Sequence, residues 1–217
     1  MLIVTLTKEN VGHAVDEAIA VLNRGGIIAY PTETFYGLGV RFDMPGSLRK
    51  LYELKKRPRE KAMPVVIGSR QFLPHLVLEE WLREIPSAAQ SLMEEFWPGP
   101  VTILFPAKPG LSEYLTAETG LIAVRVPGES FALHLAAKAR FAVTATSANL
   151  SGTPPADSAD AVLSSFGNAI DLLIDGGRTP GGMPSTIVDA SAKPLRIVRS
   201  GAMAKAVTSS LNEHRAF

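Results

Sequence analysis

The feature that most constrains the fold is an alternation of short apolar runs with stretches whose apolar residues recur every three or four positions. The clearest helical stretch is 11–24, which Gly25 and Gly26 end. Further helices are predicted at 45–55, 86–96, 131–139 and 158–166, and after Ala202. Buried strands are predicted at 26–30, 64–67, 101–105, 122–126, 141–146, 172–174, 186–188 and 195–198. Strands interleaved with helices predict an α/β domain whose sheet is covered on both faces.

The connections between the last strands indicate a mixed sheet. Only segments rich in Gly and Pro join the strands at 172–174, 186–188 and 195–198, so at least some neighbours are expected to be antiparallel. Two loops rich in Gly, Pro, Ser and Asp, 147–158 and 175–185, follow predicted strands. Because open α/β sheets place ligands at strand ends, we expect the functional site to lie at these loops.

The composition is that of an ordinary globular protein. The 217 residues are 46% hydrophobic and 20% charged, and the formal net charge of +1 gives no general reason to bind nucleic acid. One domain spanning 1–217 is expected. Cysteine is absent, which excludes disulfides, thiolate metal sites and a cysteine nucleophile. No leader-like N-terminus and no apolar run of about 20 residues is present, so we expect a cytoplasmic protein with no membrane partner.

Several common signatures of nucleotide and hydrolytic sites are missing. The sequence has no GxxxxGK[ST] phosphate loop, no GxGxxG after a strand, no HExxH and no GxSxG around Ser147. Its histidines are far apart, which favours solvated or half-buried side chains over a catalytic or metal cluster; they are His13, His75, His134 and His214. A chain of this class that handles a nucleotide would therefore have to hold the phosphates with cationic side chains.

Cations are concentrated in KKRPREK, residues 55–61. Pro58 disfavours helical geometry at the preceding residue and has no N–H to donate, so the helix from residue 45 should end near Lys56. Lys55, Arg57 and Lys61 are then expected on an irregular hinge before the next strand. A solvated helix end, a nucleic-acid patch and a phosphate pocket all remain open at this point, because cations at a helix C-terminus are favoured even without a ligand.

Two arginines at strand ends favour the pocket. Arg125 interrupts the apolar run 121–127, and an arginine in a buried run needs an anionic partner to offset its desolvation. Arg199 ends the predicted strand at 195–198 in a similar way.

Two polar segments follow predicted strands. The segment 30–39 carries three hydroxyl side chains and a carboxylate before two glycines, and 146–149 reads TSAN. Either segment could bind a small amphoteric ligand through hydrogen bonds. A Ser/Thr-rich turn and a helix N-cap are the structural alternatives.

Seven motifs in this order resemble the YrdC-like family, the threonylcarbamoyl-adenylate synthases. They are PTETFYGLG, the KxRPxxK spacing of residues 55–61, WPGPVTIL, VRVP, TSANLSGTPP, PSTIVD and IVRSG. The resemblance covers about residues 12–201. It implies one α/β domain with a twisted mixed sheet and a concave basic cavity, and it is closest to the short, single-domain form of the family.

The resemblance also implies an activity and its partners. Family members join L-threonine, bicarbonate and ATP, with Mg²⁺ bound to the ATP, into threonylcarbamoyl-adenylate and release pyrophosphate. A downstream transferase then passes the threonylcarbamoyl group to tRNA. A direct contact with tRNA is expected to be weak or absent.

Matching motif positions assigns three groups of candidate residues. The ATP contacts fall on Arg57, Lys61, Ser147, Asn149, Pro155 and Arg199. The threonine contacts fall on Thr34, Arg125, Ala145 and Ser185, with Leu121 as a further contact position. The catalytic cations are expected to be Lys55, Arg57 and Lys61, and no residue is assigned to a protein metal site.

One position departs from the family pattern, and two alternatives remain. Val66 stands where some members have a histidine, which removes one polar contact expected for threonine. An RNA-binding or ribosome-maturation module is the main alternative function, against which stand the near-neutral charge and an aromatic content of only 7%. The carbamoyl-transferring hydrogenase maturation proteins contain a similar domain, but they are long chains with zinc-finger cysteines, which this sequence lacks.

Overall fold

A computed structural model describes residues 1–213, so His214 and the end of the predicted domain lie outside the described part. The helices are α1 Val11–Asn23, α2 Pro45–Leu54, α3 Glu79–Arg83, α4 Ser87–Phe96, α5 Glu113–Thr116, α6 Phe131–Ala139, α7 Ala159–Phe166 and α8 Ala204–Glu213. The strands are β1 Leu2–Thr5, β2 Ile28–Pro31, β3 Tyr36–Gly39, β4 Val65–Val66, β5 Val101–Pro106, β6 Leu121–Arg125, β7 Val143–Thr144, β8 Thr146–Ser147, β9 Leu172–Asp175, β10 Thr186–Asp189 and β11 Arg196–Arg199.

The strands form two mixed sheets. The five-stranded sheet has the order β1-β9-β2-β3-β8, and the six-stranded sheet has the order β11-β10-β5-β6-β4-β7. Each contains parallel and antiparallel pairs, such as β2 with β9 and β2 with β3 in the first sheet. The predicted α/β class with mixed pairing is therefore confirmed. One sheet was predicted, whereas the structure has two, and the chain passes from β7 in one to β8 in the other across the single residue Ala145.

The inner strands β2 and β3 of the five-stranded sheet are buried on both faces. Ile28 and Tyr30 pack with α1 and α6, while Ala29 between them packs into the other, larger core cluster. This alternation follows from the period of two along a strand. Helix α1 contributes five buried residues to the smaller cluster: Ala14, Val15, Ala18, Val21 and Leu22. Burying a side chain of the size of Leu or Val stabilises the fold by about 1.5–3 kcal/mol.

Some elements were not predicted. The strand β1 is largely exposed at the edge of its sheet and shows no alternation of buried and exposed residues. The short helices α3 and α5 have too few residues to show a helical period. The strand β3 lies inside the segment read as a polar turn; the turn itself occupies only 32–35. Within residues 1–213, no helix is long and apolar enough to cross a membrane.

The ends of several strands converge on the site. Residues 32–35 connect β2 to β3, Arg125 ends β6, Ser185 directly precedes β10 and Arg199 ends β11. Because β6, β10 and β11 belong to one sheet and β3 and β8 to the other, the site lies where the two sheets face each other.

Candidate active site

A cavity of about 400 Å³ is lined by residues from both sheets. Four cations from three segments of the chain line it: Arg57, Lys61, Arg125 and Arg199. Although Arg199 is exposed, the protein atoms around its guanidinium and the charges of Arg125 and Arg57 lower its pKa. The mutual influence of these charges is the physical signature of cations that share one site. Arg57 and Lys61 of the basic segment 55–61 therefore line a pocket.

The hinge after α2 presents Arg57 to the cavity. The Arg57 guanidinium donates through Nε to the Lys61 carbonyl oxygen at 2.7 Å and through Nη2 to the Ala62 carbonyl oxygen at 2.6 Å. The Tyr52 hydroxyl lies 2.8 Å from the carbonyl oxygens of both Pro58 and Lys61, so it fixes the hinge backbone. Burial lowers the pKa of Arg57. Its acceptors are neutral, and no carboxylate of residues 1–213 forms an ion pair with it.

Ser185 and Arg199 form a second cluster on the cavity wall. Arg199 donates through Nε and Nη2 to the Ser185 carbonyl oxygen, at 3.1 and 2.8 Å, and Nη2 also lies 2.9 Å from Ser185 Oγ. Ser185 Oγ is 2.9 Å from the hydroxyl of Thr102 in β5. The predicted ATP and threonine contacts are therefore neighbours here. Thr102 was not predicted, although a hydroxyl in the apolar run of β5 was a signal for it.

Arg125 has the anionic partner that its buried position requires, and that partner is Glu33. The two side chains form an ion pair, with exposed fractions of 10% and 16%. Arg125 Nε donates to the Gly99 carbonyl oxygen at 3.1 Å, and Glu33 Oε1 also accepts from the Gly128 amide at 2.7 Å. Glu33 was not predicted as a site residue. It is the carboxylate of the polar segment 30–39, and this was the available signal.

The hydroxyl turn between β2 and β3 lines the cavity through Thr32 and Thr34. Thr32 Oγ1 donates to the Phe35 carbonyl oxygen at 2.7 Å and lies 3.1 Å from Thr34 Oγ1. Residues 32–35 thus form the Ser/Thr turn that was the alternative to a binding segment, and the turn also lines the cavity. Thr34 itself is buried.

The TSAN segment reaches the cavity through Ser147, while Lys55 lies behind it. Lys55 is the C-cap residue of α2 and is only 2% exposed. Its Nζ donates to the carbonyl oxygens of Ser147 at 2.5 Å and Asn149 at 2.6 Å. Burial and the charge of Arg57 lower the pKa of Lys55 to about 7. Unlike Arg57 and Lys61, Lys55 supports the loop from inside the protein in this structure.

The remaining predicted residues separate into two groups. Ala145 and Val66 line the cavity, and both present apolar side chains to it. Asn149, Pro155 and Leu121 are not among the residues that line it. Asn149 closes its own loop, because its side-chain amide donates to the Thr153 carbonyl oxygen at 2.6 Å and its Oδ1 accepts from Ser147 Oγ at 2.5 Å. Leu121 lies at the opposite end of β6 from Arg125.

Comparison with known proteins identifies the family. Residues 20–201 match the family of Sua5, YciO and YrdC proteins, which is described as "Telomere recombination". The chain belongs to this family. Two curated relatives, both named threonylcarbamoyl-AMP synthase, come from Pyrococcus abyssi and Bacillus subtilis. Each is 34% identical to this chain, over 86% and 87% of it respectively.

A solved member of the family has the same fold. The structure of P. abyssi Sua5 complexed with L-threonine superimposes with a TM-score of 0.83 at 32% identity and covers 92% of this chain. The chain spans about half the length of its relatives: 53% and 54% of the two curated proteins and 57% of the P. abyssi Sua5 chain.

Proposed function

We propose that this chain forms threonylcarbamoyl-adenylate from L-threonine, bicarbonate and ATP and releases pyrophosphate. Two relatives at 34% identity carry the name threonylcarbamoyl-AMP synthase, and a solved relative binds L-threonine. The observation that carries the proposal is the composition of the cavity. It combines cations suited to a triphosphate with an arginine and hydroxyl groups suited to an amino acid.

The cations divide between the two substrates. Arg57, Lys61 and Arg199 are assigned to the triphosphate, because charge-assisted hydrogen bonds to phosphate are strong and these side chains meet no carboxylate among residues 1–213. Arg125 is assigned to the threonine carboxylate. Thr34 and Ser185 then read the amino acid through their hydroxyl groups, while Ala145 and Val66 provide apolar contact.

The chemistry needs no covalent protein intermediate. The threonine amine attacks bicarbonate, a C–N bond forms and water leaves, giving a carbamate. A carbamate oxygen then attacks the α-phosphorus of ATP. The bond between the α-phosphorus and the oxygen that bridges to the β-phosphate breaks, and pyrophosphate leaves. Positioning of the two substrates and cations that stabilise the charge on the leaving pyrophosphate supply most of the catalysis in such a step. Arg57, Lys61 and Arg199 fill this role in the proposal.

Lys55, Asn149 and Pro155 are proposed to act through the loop rather than by lining the cavity. Lys55 holds the carbonyl oxygens of Ser147 and Asn149, and Asn149 binds the Ser147 hydroxyl and the far side of the same loop. This fixes the position at which Ser147 meets the nucleotide. Pro155 lies in the same loop, just before the residue whose carbonyl oxygen accepts from the Tyr36 amide.

Magnesium is proposed to arrive with ATP. Among residues 1–213, no group of three or more His, Cys, Asp or Glu side chains could hold a metal ion. The donor atoms that Mg²⁺ prefers are oxygens, and the phosphate oxygens of ATP supply them. The ion would reduce the charge that the three cations face.

The product implies a partner. Threonylcarbamoyl-adenylate is a reactive mixed anhydride, so a downstream transferase is proposed to pass its acyl group to tRNA. A cytoplasmic location, where ATP and tRNA meet, fits this sequence of reactions. No comparison supports the RNA-binding alternative, and it is not proposed further.

The decisive assay measures pyrophosphate release from ATP. We expect release that requires both L-threonine and bicarbonate, and a threonylcarbamoyl-adenylate product detectable by mass spectrometry. L-Serine is the informative competitor, because it lacks only the methyl group. ATP hydrolysis that ignores threonine, or no nucleotide turnover with all three substrates present, would overturn the proposal.

A further inference from the structure

The four cavity cations differ in the charge of their partners. Among the described residues, Arg57 donates to two carbonyl oxygens and to the Thr146 hydroxyl, and Arg199 donates only to Ser185. Within the described chain, Arg57, Lys61 and Arg199 have no carboxylate at ion-pairing distance, whereas Arg125 pairs with Glu33. Within residues 1–213, the charges of Arg57, Lys61 and Arg199 are therefore not offset by a carboxylate, whereas Glu33 offsets the charge of Arg125.

Glu33 fixes the orientation of the Arg125 guanidinium. The ion pair engages Nη2, and the Gly99 carbonyl oxygen engages Nε. Glu33 is itself fixed, because its Oε1 also accepts from the Gly128 amide at 2.7 Å. Arg125 lines the cavity but Glu33 does not, so the carboxylate acts on the arginine from behind the cavity wall. Within the described residues, Nη1 makes no hydrogen bond and stays available to a ligand.

The position of Glu33 is costly for stability. Its Oε2 is buried and has no hydrogen-bond partner among the described residues. A buried polar atom without a partner destabilises a fold, and apolar residues commonly replace buried ion pairs without loss of stability. The carboxylate is therefore better explained by its effect on Arg125 than by a contribution to folding.

We propose that Glu33 is a specificity-determining residue of this cavity: it holds the Arg125 guanidinium in place and cancels its charge, so that Arg125 accepts one carboxylate while polyphosphate is confined to Arg57, Lys61 and Arg199. The inference rests on the proposed function, since it explains how one cavity sorts an amino acid from a triphosphate.

The sorting follows from the different ranges of two forces. A polyanion is attracted over several ångströms by the net charge of a group of residues. Glu33 lowers that net charge by offsetting the charge of Arg125. Hydrogen bonding to a single carboxylate depends on free N–H groups at short range, which the ion pair leaves on the outer edge of the guanidinium. Glu33 thus weakens the attraction for polyphosphate much more than the binding of a carboxylate.

Calorimetric titration with inorganic tripolyphosphate and with L-threonine tests the inference. Glu33→Gln keeps the shape and one acceptor but removes the charge. We expect this variant to bind tripolyphosphate about tenfold more tightly than the wild type at low salt. We also expect tripolyphosphate to compete with threonine in the variant, whereas both bind together in the wild type.

The matched control is Glu129→Gln. It removes the same charge from the loop that contains Gly128, but the Glu129 side chain is 80% exposed and pairs with His134. Its tripolyphosphate affinity should stay within about twofold of the wild type, because an exposed charge is screened. An unchanged affinity in Glu33→Gln, or an equal gain in Glu129→Gln, would overturn the inference.

A second variant covers the case in which Glu33→Gln folds poorly. Glu33→Asp keeps the charge but shortens the reach, so it should weaken threonine binding without raising the affinity for tripolyphosphate. A gain in tripolyphosphate affinity in Glu33→Asp would contradict the proposed charge effect. If the wild type binds tripolyphosphate but not threonine, the proposed function fails, while the tripolyphosphate affinities of the Glu33 variants still decide this inference.

Discussion

The Lys55 ammonium nitrogen lies 2.6 Å from the carbonyl oxygen of Asn149, a residue 94 positions away in the chain. The same nitrogen binds the Ser147 carbonyl oxygen, so one buried side chain from the end of α2 supports the TSAN loop at two points. The cation cluster that the sequence presents as continuous is thus divided in the structure. Lys55 faces the interior, while Arg57 and Lys61 reach the cavity.

Replacing Lys55 with Met should destabilise the protein and weaken ATP binding. The change removes a charged donor from the carbonyl oxygens of Ser147 and Asn149, and a hydrogen bond to a charged group contributes about 1.5–3 kcal/mol. We expect a lower melting temperature and a rise of about tenfold in the KM for ATP, because Ser147 loses its support. Thermal denaturation and steady-state kinetics provide the measurements. Lys56→Met is the control, since Lys56 is exposed and should tolerate the change.

Stability should depend on pH through Lys55. Burial and the charge of Arg57 lower the pKa of Lys55 from the ordinary 10.5 to about 7. Between these values the unfolded chain binds a proton that the folded chain does not, so the contribution of Lys55 to the free energy of unfolding rises with pH. Below pH 7 both states carry the proton, and the folded protein bears the full cost of a buried charge.

The pH effect is measured by comparing melting temperatures of the wild type and Lys55→Met. The difference between them should move in favour of the wild type as the pH rises from about 6.5 to about 9. The difference in melting temperature between the wild type and Lys56→Met should stay constant over the same pH interval. A wild-type advantage that shrinks as the pH rises would contradict the assignment.

Lys61→Ala should reduce ATP binding without reducing stability. Lys61 is exposed and lines the cavity, and the described residues give its side chain no hydrogen bond. Surface substitutions of this kind usually change stability by less than about 0.5 kcal/mol. We expect a KM for ATP that is at least about tenfold higher, with little change in threonine affinity. Arg59→Ala is the matched control, because Arg59 lies on the same hinge but lines a different cleft. Equal losses in both variants would favour a diffuse charged patch.

Gly201→Ala should disrupt the wall that carries Ser185. A Cβ at Gly201 would lie 2.2 Å from the Pro184 carbonyl oxygen and 2.4 Å from the Ser185 carbonyl carbon. Backbone atoms cannot move aside as a flexible side chain can, so Ser185 and its contact with Arg199 must shift. We expect a loss of threonine and ATP binding together with a lower melting temperature. Gly46→Ala is the control, because a Cβ there meets nothing within 4 Å and alanine favours the helix.

The sequence predicted most elements because their signals are local. The period of α1 and the apolar run of β5 are visible within a few residues. Proline 58 correctly placed the end of α2, where Lys56 adopts a left-handed backbone with φ of 47°. The strand β1 could not be predicted in this way, since it is held by pairing with β9 from the other end of the chain.

The site was predicted in its cations but not in their pairing. A buried run predicts that Arg125 needs an anion, yet only the folded chain brings Glu33 to it across 92 positions. The same holds for Lys55, whose acceptors are backbone carbonyl groups that carry no signal in the sequence. Residue type shows which charges are present. Tertiary structure decides which charge faces the ligand and which faces the interior.

The cavity cations come from the hinge after α2 and from the last residues of two distant strands, so no fragment of the chain holds the site alone. Affinity for a polyanion should therefore appear only when both sheets have assembled. A ligand of this kind would select the complete fold over every partly folded form and raise its stability in proportion to occupancy. Tripolyphosphate added during refolding would then act as a reporter of the last assembly step.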